Sequence, residues 1–469
     1  MSIFTAAEVE MGTDGTIEYG SRDTVFSNVS IDTRTLKGGD LFFAIRGPNQ
    51  DGHRYIADAL TKGALGAIAE QGYRFPGEFP GDRVLIRVEH THEALKDFSV
   101  WDRRRWHGTL VAITGSMGKT TTKEFAAHIL GSGFRVYRTP GNYNNLFGLP
   151  LALLGLTPED NIGIFEMGMS APGEIAEMCR IASPEVGIIT NIAPVHLEFF
   201  KSVEDIARAK EELAQALPDD GTLIYNADDP LVMKIAGRYA GNKISFGFSE
   251  SADVRAYGIQ ITGLNETRFL LSCGGSMREG AIPAAGAHYV MNVLPAIALG
   301  IRLSLPLDRM MESFATLQQA SMRGQVLTFK PGFTVIDDSY NSNPKALMKM
   351  IEVLAGMPSF SRRILVAGEM LELGPGSKVL HSECGRFAAE HGVDIVIGVR
   401  GAAEEIVRGA TASGLSSSRS RFYADADAVA ATLAKELKAG DLVLVKGSRG
   451  VHLEKIIQRL RAEFGVLDI

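Results

Sequence analysis

Short continuous apolar runs alternate with amphipathic stretches along most of the chain. The run at 109–113 (Thr-Leu-Val-Ala-Ile) is typical of a strand buried on both faces of a parallel sheet. Between such runs, apolar residues recur three and four positions apart, which is helical spacing. The pattern predicts strands at 40–45, 66–69, 83–88, 109–113, 162–166, 186–191, 222–226, 334–337, 363–367, 394–399 and 442–446. It predicts helices at 53–62, 91–104, 119–130, 173–181, 203–217, 231–239, 290–303, 344–354, 377–391, 402–409, 425–437 and 451–464.

The same alternation divides the chain into three predicted domains. The first, 1–107, ends at a run of charged residues, and the second, 108–321, is predicted to be a doubly wound α/β domain. Within the second, the periodicity shifts toward 2 over 243–282, which predicts a small antiparallel appendage to a parallel sheet. The third, 322–469, repeats the α/β pattern. A length of 469 residues suits three domains of ordinary size.

Composition narrows the possible functions. Lys and Arg number 48 against 55 Asp and Glu, and the net charge of −7 argues against a general nucleic-acid binder, which needs a basic face. Three scattered cysteines without CxxC spacing argue against a disulfide framework or a cysteine–zinc site. The chain begins without a signal-peptide pattern, and no run of about 20 apolar residues occurs. We therefore expect a cytoplasmic protein with no nucleic-acid partner and no membrane insertion.

The segment 112–121 (Ala-Ile-Thr-Gly-Ser-Met-Gly-Lys-Thr-Thr) carries the strongest local signal. It follows an apolar strand and precedes an amphipathic helix, the context in which a glycine-rich loop binds phosphate. Lys119 would reach the β- and γ-phosphates, and the Thr120 hydroxyl would bind Mg²⁺. The alternative is a glycine-rich turn that happens to contain a lysine. The candidate ATP-binding residues here are Gly115, Ser116, Gly118, Lys119, Thr120 and Thr121.

The spacing of this loop is shorter than the usual Walker pattern, because only two residues separate Gly115 from Gly118. The shortened loop resembles that of the Mur ligase family, which includes the folylpolyglutamate and cyanophycin synthetases. The resemblance implies three domains: one for a UDP-sugar substrate, a central P-loop ATPase, and a C-terminal Rossmann-like domain for the incoming amine. It also implies an ATP-dependent ligase that activates a carboxylate as an acyl phosphate and forms an amide.

Glu166 ends a predicted strand, where side chains point into the ligand crevice of an open α/β sheet, so it is a candidate Mg²⁺ ligand. An ordinary loop carboxylate is the alternative. The resemblance adds His196 as a ligand of a second Mg²⁺. It adds Lys210 as a metal ligand in carbamylated form, since a carbamate is a hard anion. The implied catalytic residues are Lys119, Lys210, His196 and Glu166.

The resemblance assigns further residues to the substrates. It places Asn292 at the adenine, Asp338 at the ribose and Arg323 at a phosphate of ATP. The turn-rich segment 139–145 would contact the sugar-nucleotide and the metal region, through Asn142, Asn144 and Asn145. In the N-terminal domain, Thr33 and Arg34 would face the uracil–diphosphate.

The segment 336–344 (Ile-Asp-Asp-Ser-Tyr-Asn-Ser-Asn-Pro) narrows the resemblance within the family. It is similar to a signature of those members that join D-alanyl-D-alanine to a UDP-N-acetylmuramoyl-tripeptide, and 368–374, His381 and 446–450 match the same members. Tyr340, Asn341 and Asn343 would lie near the incoming dipeptide. The expected protein is a monomer acting on these two substrates. A ligase adding the third stem residue and a P-loop ATPase without ligase activity remain alternatives.

Overall fold

The computed structural model describes residues 3–47, 50–195 and 198–467. The N-terminal part contains a five-stranded sheet of order β2-β7-β6-β5-β4, in which only the edge strand β2 runs antiparallel, and a separate β1–β3 pair. Its elements are β1 (Phe4–Thr5), α1 (Ala6–Gly12), β2 (Thr16–Tyr19), β3 (Val25–Phe26), β4 (Asn28–Ser30), β5 (Asp40–Phe43), α2 (Ile56–Thr61), β6 (Gly66–Glu70), β7 (Val84–Val88) and α3 (Thr91–Arg103).

A nine-stranded sheet of order β16-β15-β14-β13-β12-β11-β8-β10-β9 forms the centre of the molecule. Its elements are β8 (Thr109–Thr114), α4 (Lys119–Leu130), β9 (Val136–Arg138), α5 (Gly148–Leu153), β10 (Ile162–Glu166), α6 (Glu174–Ala182), β11 (Val186–Ile189), α7 (Val203–Gln215), β12 (Thr222–Asn226), α8 (Pro230–Arg238), β13 (Asn242–Gly247), β14 (Val254–Gly263), β15 (Glu266–Cys273), β16 (Ser276–Ile282), α9 (Ala287–Arg302) and α10 (Leu307–Glu312).

The predicted antiparallel appendage is part of this sheet. Strands β14, β15 and β16 are antiparallel as predicted, but β13 pairs in parallel with β12 and with β14, so it extends the central sheet. The alternating burial along β15 explains the period of 2: one face packs into the core that contains Val290 and Leu294 of α9. On the other face, Arg268 is exposed and Leu270 and Ser272 are half-buried.

The C-terminal part contains a six-stranded sheet of order β17-β18-β22-β19-β20-β21, parallel except for β17. Its elements are β17 (Gln325–Thr328), β18 (Thr334–Asp338), α11 (Pro344–Ala355), β19 (Arg362–Gly368), α12 (Ser377–Glu390), β20 (Ile395–Val399), α13 (Glu404–Ala412), β21 (Ser420–Tyr423), α14 (Ala426–Glu436), β22 (Asp441–Lys446) and α15 (Glu454–Phe464).

Strand order determines where ligands can bind in these sheets. The chain leaves β8, forms β9 and β10 on one side of it, and then crosses to form β11 on the other side. The C-terminal end of β8 is therefore a topological switch point, where open α/β sheets form a ligand crevice. In the third sheet β22 lies between β18 and β19. The loops that follow these three strands consequently meet at one edge.

Candidate active site

The loop between β8 and α4 has a backbone conformation that requires glycine at two positions. Gly115 has a φ of 148° and Gly118 a φ of 79°, values that favour glycine. A Cβ added to Gly115 would lie 1.9 Å from Thr190 Oγ1, and one added to Gly118 would lie 2.3 Å from Asn292 Oδ1. The loop is thus closely packed, and Asn292 of α9 lies directly against it.

The segment after β11 holds this loop in place. The Ser116 and Met117 amides donate to the backbone carbonyl and the side-chain oxygen of Asn191, at 2.9 and 3.0 Å. The Thr190 hydroxyl donates to the Met117 carbonyl at 2.7 Å. Thr190 and Asn191 support the loop, and the sequence analysis did not select them as site residues. Their position at the end of a strand beside the switch point was the available signal.

Lys119 begins α4 and lies beside the loop. Its ammonium donates to the Gly115 carbonyl at 2.8 Å. Burial lowers the pKa of Lys119, while the nearby Glu166 carboxylate acts in the opposite direction. The cation therefore lies at the end of the loop, beside the N-terminus of α4, where a phosphate would be attracted by both charge and helix dipole.

Glu166 connects three segments that are distant in sequence. Its Oε2 accepts a hydrogen bond from the Thr120 hydroxyl at 2.8 Å, and its Oε1 accepts one from Asn144 Nδ2 at 2.9 Å. Its own amide donates to Thr139 Oγ1 at 3.1 Å. The structure thus brings together Thr120, Asn144 and Glu166. A hydroxyl, an amide and a carboxylate here supply the oxygen atoms that Mg²⁺ prefers.

Lys210 projects from α7 into the same cavity as Lys119 and Glu166. Its side chain is buried, and no hydrogen bond or ion pair joins its Nζ to another residue of the described ranges. Burial, assisted by the positive charge of Lys119, holds the pKa of Lys210 well below its usual value. Near neutral pH, the Lys210 amine is therefore uncharged and nucleophilic more often than the amine of an ordinary lysine.

Within residues 3–47, 50–195 and 198–467, no group of three His, Cys, Asp or Glu side chains is placed to hold a metal ion. A magnesium ion here would need oxygen atoms from other sources, such as the Thr120 hydroxyl, phosphate oxygens and water. Mg²⁺ is commonly held in this way, by one or two carboxylates and substrate phosphates. The residues present therefore fit Mg²⁺. His196, the other predicted metal ligand, lies outside the described residues.

The cavity, of about 410 Å³, joins the central part of the chain to the C-terminal part. Arg323, Tyr340 and Asn341 of the C-terminal part line it together with Lys119 and Thr120. The Arg323 guanidinium lies 4.0 Å from the centroid of the Tyr340 ring, a cation–π contact. Its Nη2 lies 3.4 Å from Thr120 Oγ1. Arg323 therefore connects the phosphate loop to the segment after β18.

Asp338 ends β18 near this cavity. Its carboxylate pairs with Lys446 at 2.5 Å, and Lys446 also donates to the Asn341 carbonyl at 2.9 Å. The pair is buried, so each charge depends on the other for compensation. Lys446 thereby fixes the segment that carries Tyr340 and Asn341.

Three domain families match the chain: the Mur ligase family, catalytic domain at 25–100, the Mur ligase middle domain at 113–300, and the Mur ligase, glutamate ligase domain at 322–449. The UDP-N-acetylmuramoyl-tripeptide–D-alanyl-D-alanine ligase of Bacillus subtilis is 32% identical over 97% of both chains. The chain belongs to the Mur ligase family.

Solved structures agree with this membership. A MurF structure from Acinetobacter baumannii has a TM-score of 0.85 and 28% identity, covering 98% of this Mur ligase and 99% of that chain. MurF ligase from Thermotoga maritima in complex with ADP has a TM-score of 0.80 and 30% identity, covering 93% and 97%. The predicted three-part α/β architecture is thus confirmed.

The remaining predicted substrate residues of this Mur ligase lie in several places. Asn142 and Asn145 line the cavity. Asn145 Oδ1 also accepts from the amides that begin α5, and Asn343 caps α11, so both have structural roles as well. Thr33 and Arg34 do not line this cavity. Arg34 is exposed, and its guanidinium lowers the pKa of Asp32 by hydrogen bonding.

His381 holds a loop at the C-terminal edge of the third sheet. The Met370 amide, which can only donate, lies 2.9 Å from His381 Nε2, so Nε2 is an acceptor and the ring is neutral. Nδ1 then donates to the Ser377 carbonyl at 2.7 Å. Burial lowers the pKa of His381 below its ordinary value near 6.5.

We expect the Met370 amide to lose protection in acid. The neutral His381 ring stabilises this loop, and its pKa is lower in the folded than in the unfolded protein. The stabilisation is therefore complete above about pH 6.5 and is lost as pH falls toward the folded-state pKa. Hydrogen exchange at pH 7.5 and 5.5, corrected for intrinsic rates, measures this protection. A His381→Gln variant should show no such pH dependence. Equal protection of the wild-type amide at both pH values would contradict the assignment.

Proposed function

We propose that this Mur ligase joins D-alanyl-D-alanine to UDP-N-acetylmuramoyl-tripeptide, converting ATP to ADP and phosphate. The product would be a peptidoglycan pentapeptide precursor used in building the cell wall. One observation carries the proposal: the phosphate loop and the Tyr340–Asn341 segment line a single cavity. A nucleotide and an acceptor amine can therefore meet there. The Escherichia coli relative, 32% identical over 95% of this chain, carries the same ligase name as the Bacillus subtilis one.

The proposed reaction has two steps in this cavity. A carboxylate oxygen of the tripeptide attacks the γ-phosphorus, and the bond to ADP breaks, giving an acyl phosphate. The amine of the dipeptide then attacks the acyl carbon, phosphate leaves, and the ammonium proton is lost to form the amide. Lys119 and Arg323 line the cavity, and their positive charges would offset the repulsion between the carboxylate and the γ-phosphate.

The proposed metal ligands are Thr120, Glu166 and Lys210, with His196 as a fourth. Two Mg²⁺ ions would neutralise phosphate charge and orient the reacting groups. For Lys210 we propose carbamylation, in which the uncharged Nζ attacks CO₂ and loses a proton. The burial of Lys210, and the lack of a partner for its Nζ within 3–47, 50–195 and 198–467, support this, because a carbamate would turn a buried amine into a metal-binding anion.

ATP would be held by loop and helix residues from two parts of the chain. Gly115, Ser116, Gly118, Lys119, Thr120 and Thr121 are the proposed phosphate contacts. Asn292, which lies against Gly118, is proposed for the adenine. Asp338 is proposed for the ribose and Arg323 for a phosphate. The ADP complex of the Thermotoga maritima relative supports nucleotide binding in this fold.

The three parts would divide the substrates. We propose that 1–107 binds the UDP-sugar, with Thr33 and Arg34 at the uracil–diphosphate, that 108–321 binds ATP, and that 322–469 binds the dipeptide. Among the described residues, no helix is long and apolar enough to span a membrane. We further propose that the protein is cytoplasmic, since both expected substrates are water-soluble precursors, and that it acts as a monomer.

A substrate-exchange assay tests the proposal. Purified protein with ATP, Mg²⁺ and UDP-N-acetylmuramoyl-tripeptide should release phosphate only after D-alanyl-D-alanine is added. Phosphate release with diaminopimelate or lysine and the UDP-linked dipeptide would assign the protein to the step before. Phosphate release that requires neither D-alanyl-D-alanine nor the UDP-sugar would indicate an ATPase without ligase activity.

A further inference from the structure

Two guanidinium groups approach the ring of Tyr340. The Cζ of Arg323 lies 4.0 Å from the ring centroid, and the Cζ of Arg449 lies 5.8 Å from it. Arg323 and Tyr340 line the cavity, and Arg449 contacts the same ring without lining the cavity itself. The Tyr340 ring therefore lies beside two cations, at the C-terminal part's end of the cavity.

The two arginines differ in what they already contact. Arg323 reaches the phosphate loop through Thr120, so it marks the end where the acyl phosphate would form. The Arg449 side chain is 55% exposed. Its Nη1 makes two weak contacts, with the Met322 sulfur at 3.4 Å and the Glu454 carboxylate at 3.6 Å. Neither contact is a normal charge-assisted hydrogen bond, which would measure about 2.7–2.9 Å. Most of the Arg449 fork is available to a ligand.

The other cations at or beside the cavity have roles apart from the dipeptide carboxylate. The Lys119 ammonium donates to the Gly115 carbonyl of the phosphate loop. Lys446 is buried in its ion pair with Asp338. Lys210 lines the cavity from α7 and is the proposed metal ligand. Of the two arginines at the Tyr340 ring, Arg323 contacts the phosphate loop through Thr120, whereas Arg449 contacts Met322 and Glu454.

The backbone around Arg449 is held firmly and under strain. Arg449 opens a short 3₁₀ turn after β22, and the Arg400 guanidinium donates to the carbonyl of the next residue, Gly450. Three residues next to this turn have left-handed φ values without being glycine: Met322 at 62°, Arg400 at 66° and His452 at 59°. Such conformations cost energy and concentrate at binding and catalytic sites.

We infer that Arg449 binds the terminal carboxylate of the incoming dipeptide. The inference rests on the proposed function. With the amine of the dipeptide beside the phosphate loop, at Arg323, its carboxylate lies at the Arg449 guanidinium, which can donate two parallel hydrogen bonds to it. Arg449 is thus a specificity-determining residue for the free carboxylate of the dipeptide.

A pair of acceptors tests this contact: D-alanyl-D-alanine and its C-terminal amide, which lacks the carboxylate. For the wild type we expect kcat/KM to be about 30- to 100-fold lower with the amide, because the Arg449 guanidinium then has no carboxylate to bind. Arg449→Ala should raise KM for the dipeptide by a similar factor. It should leave kcat/KM for the amide, and KM for ATP and UDP-tripeptide, close to wild type. Arg449→Lys keeps the positive charge but lacks the planar guanidinium, so its KM for the dipeptide should lie between those of the wild type and Arg449→Ala.

Arg459→Ala is the matched control, since Arg459 is 58% exposed and pairs with Glu463 on α15. It should leave both acceptors unaffected. Equal losses on dipeptide and amide in Arg449→Ala would overturn the inference and assign Arg449 a structural role, as would a wild type that uses both acceptors equally. A wild type inactive with D-alanyl-D-alanine under any condition would instead remove the proposed function itself.

Discussion

Replacing Lys119 with Ala should reduce ATP-dependent phosphate release by about 1,000-fold or more. The ammonium lies at the phosphate loop, 2.8 Å from the Gly115 carbonyl, and faces Glu166. Without it, the attacking carboxylate and the γ-phosphate would meet with less positive charge to offset their repulsion. Steady-state phosphate release with all three substrates measures the effect.

Lys119→Met separates charge from packing, since methionine fills similar space without an ammonium. We expect both variants to lose activity equally and to unfold at or near the wild-type temperature, because replacing a partly buried ammonium also removes its desolvation cost. Lys234→Ala, on the exposed side of α8, is the surface-lysine control and should behave as wild type. Full turnover by Lys119→Ala would contradict the phosphate-loop assignment.

Replacing Lys210 with Ala should reduce turnover by on the order of 100- to 1,000-fold, because a metal ligand would be lost. Short carboxylates such as acetate should restore part of this activity by occupying the space of the carbamate. Wild-type activity should fall in CO₂-free buffer and return with bicarbonate. Initial rates under these conditions, with and without acetate, measure both effects.

The variant separates carbamylation from a structural role. Lys210→Ala should respond to acetate but not to bicarbonate, whereas the wild type should respond to bicarbonate. If Lys210→Ala retains normal turnover, Lys210 is not a ligand. If its loss is insensitive to every carboxylate and the wild type is insensitive to CO₂ removal, the lysine acts as an amine.

Several elements could be predicted from sequence because local signals coincide there. The bounds of the strand 162–166 and the helix 119–130 agree with the structure, since an apolar run and a glycine at the helix start define them. The helix predicted at 451–464 begins instead at Glu454, because His452 adopts a left-handed φ of 59° and interrupts it. That conformation has no sequence signal of its own.

The helix predicted at 53–62 is also shorter than expected. Asp51 accepts from the His53 amide and starts a 3₁₀ turn at 52–55, and α2 follows it. Strands such as β1 and β9, with two and three residues, carry too few positions to show a period. Only tertiary pairing defines them.

The candidate site was partly predictable for the same reason. Glu166 ends a strand and Thr120 lies in the first turn of a helix at the switch point, and local pattern alone indicates both. Lys210 could not be singled out by pattern, since one lysine on an amphipathic helix is ordinarily exposed, and only its packing shows that it is buried. The support that Asn191 gives to the phosphate loop depends on contacts 74 residues apart.

The central claim is that a tripeptide carboxylate is activated by ATP and captured by a dipeptide amine. The most direct test uses UDP-N-acetylmuramoyl-tripeptide in which both oxygens of the reacting carboxylate are ¹⁸O. The labelled tripeptide is allowed to react with ATP, Mg²⁺ and D-alanyl-D-alanine. We predict that one ¹⁸O atom appears in each phosphate released, and that the UDP-linked product gains the mass of one dipeptide less one labelled water. Unlabelled phosphate, or phosphate formed without the UDP-linked pentapeptide, would contradict the account.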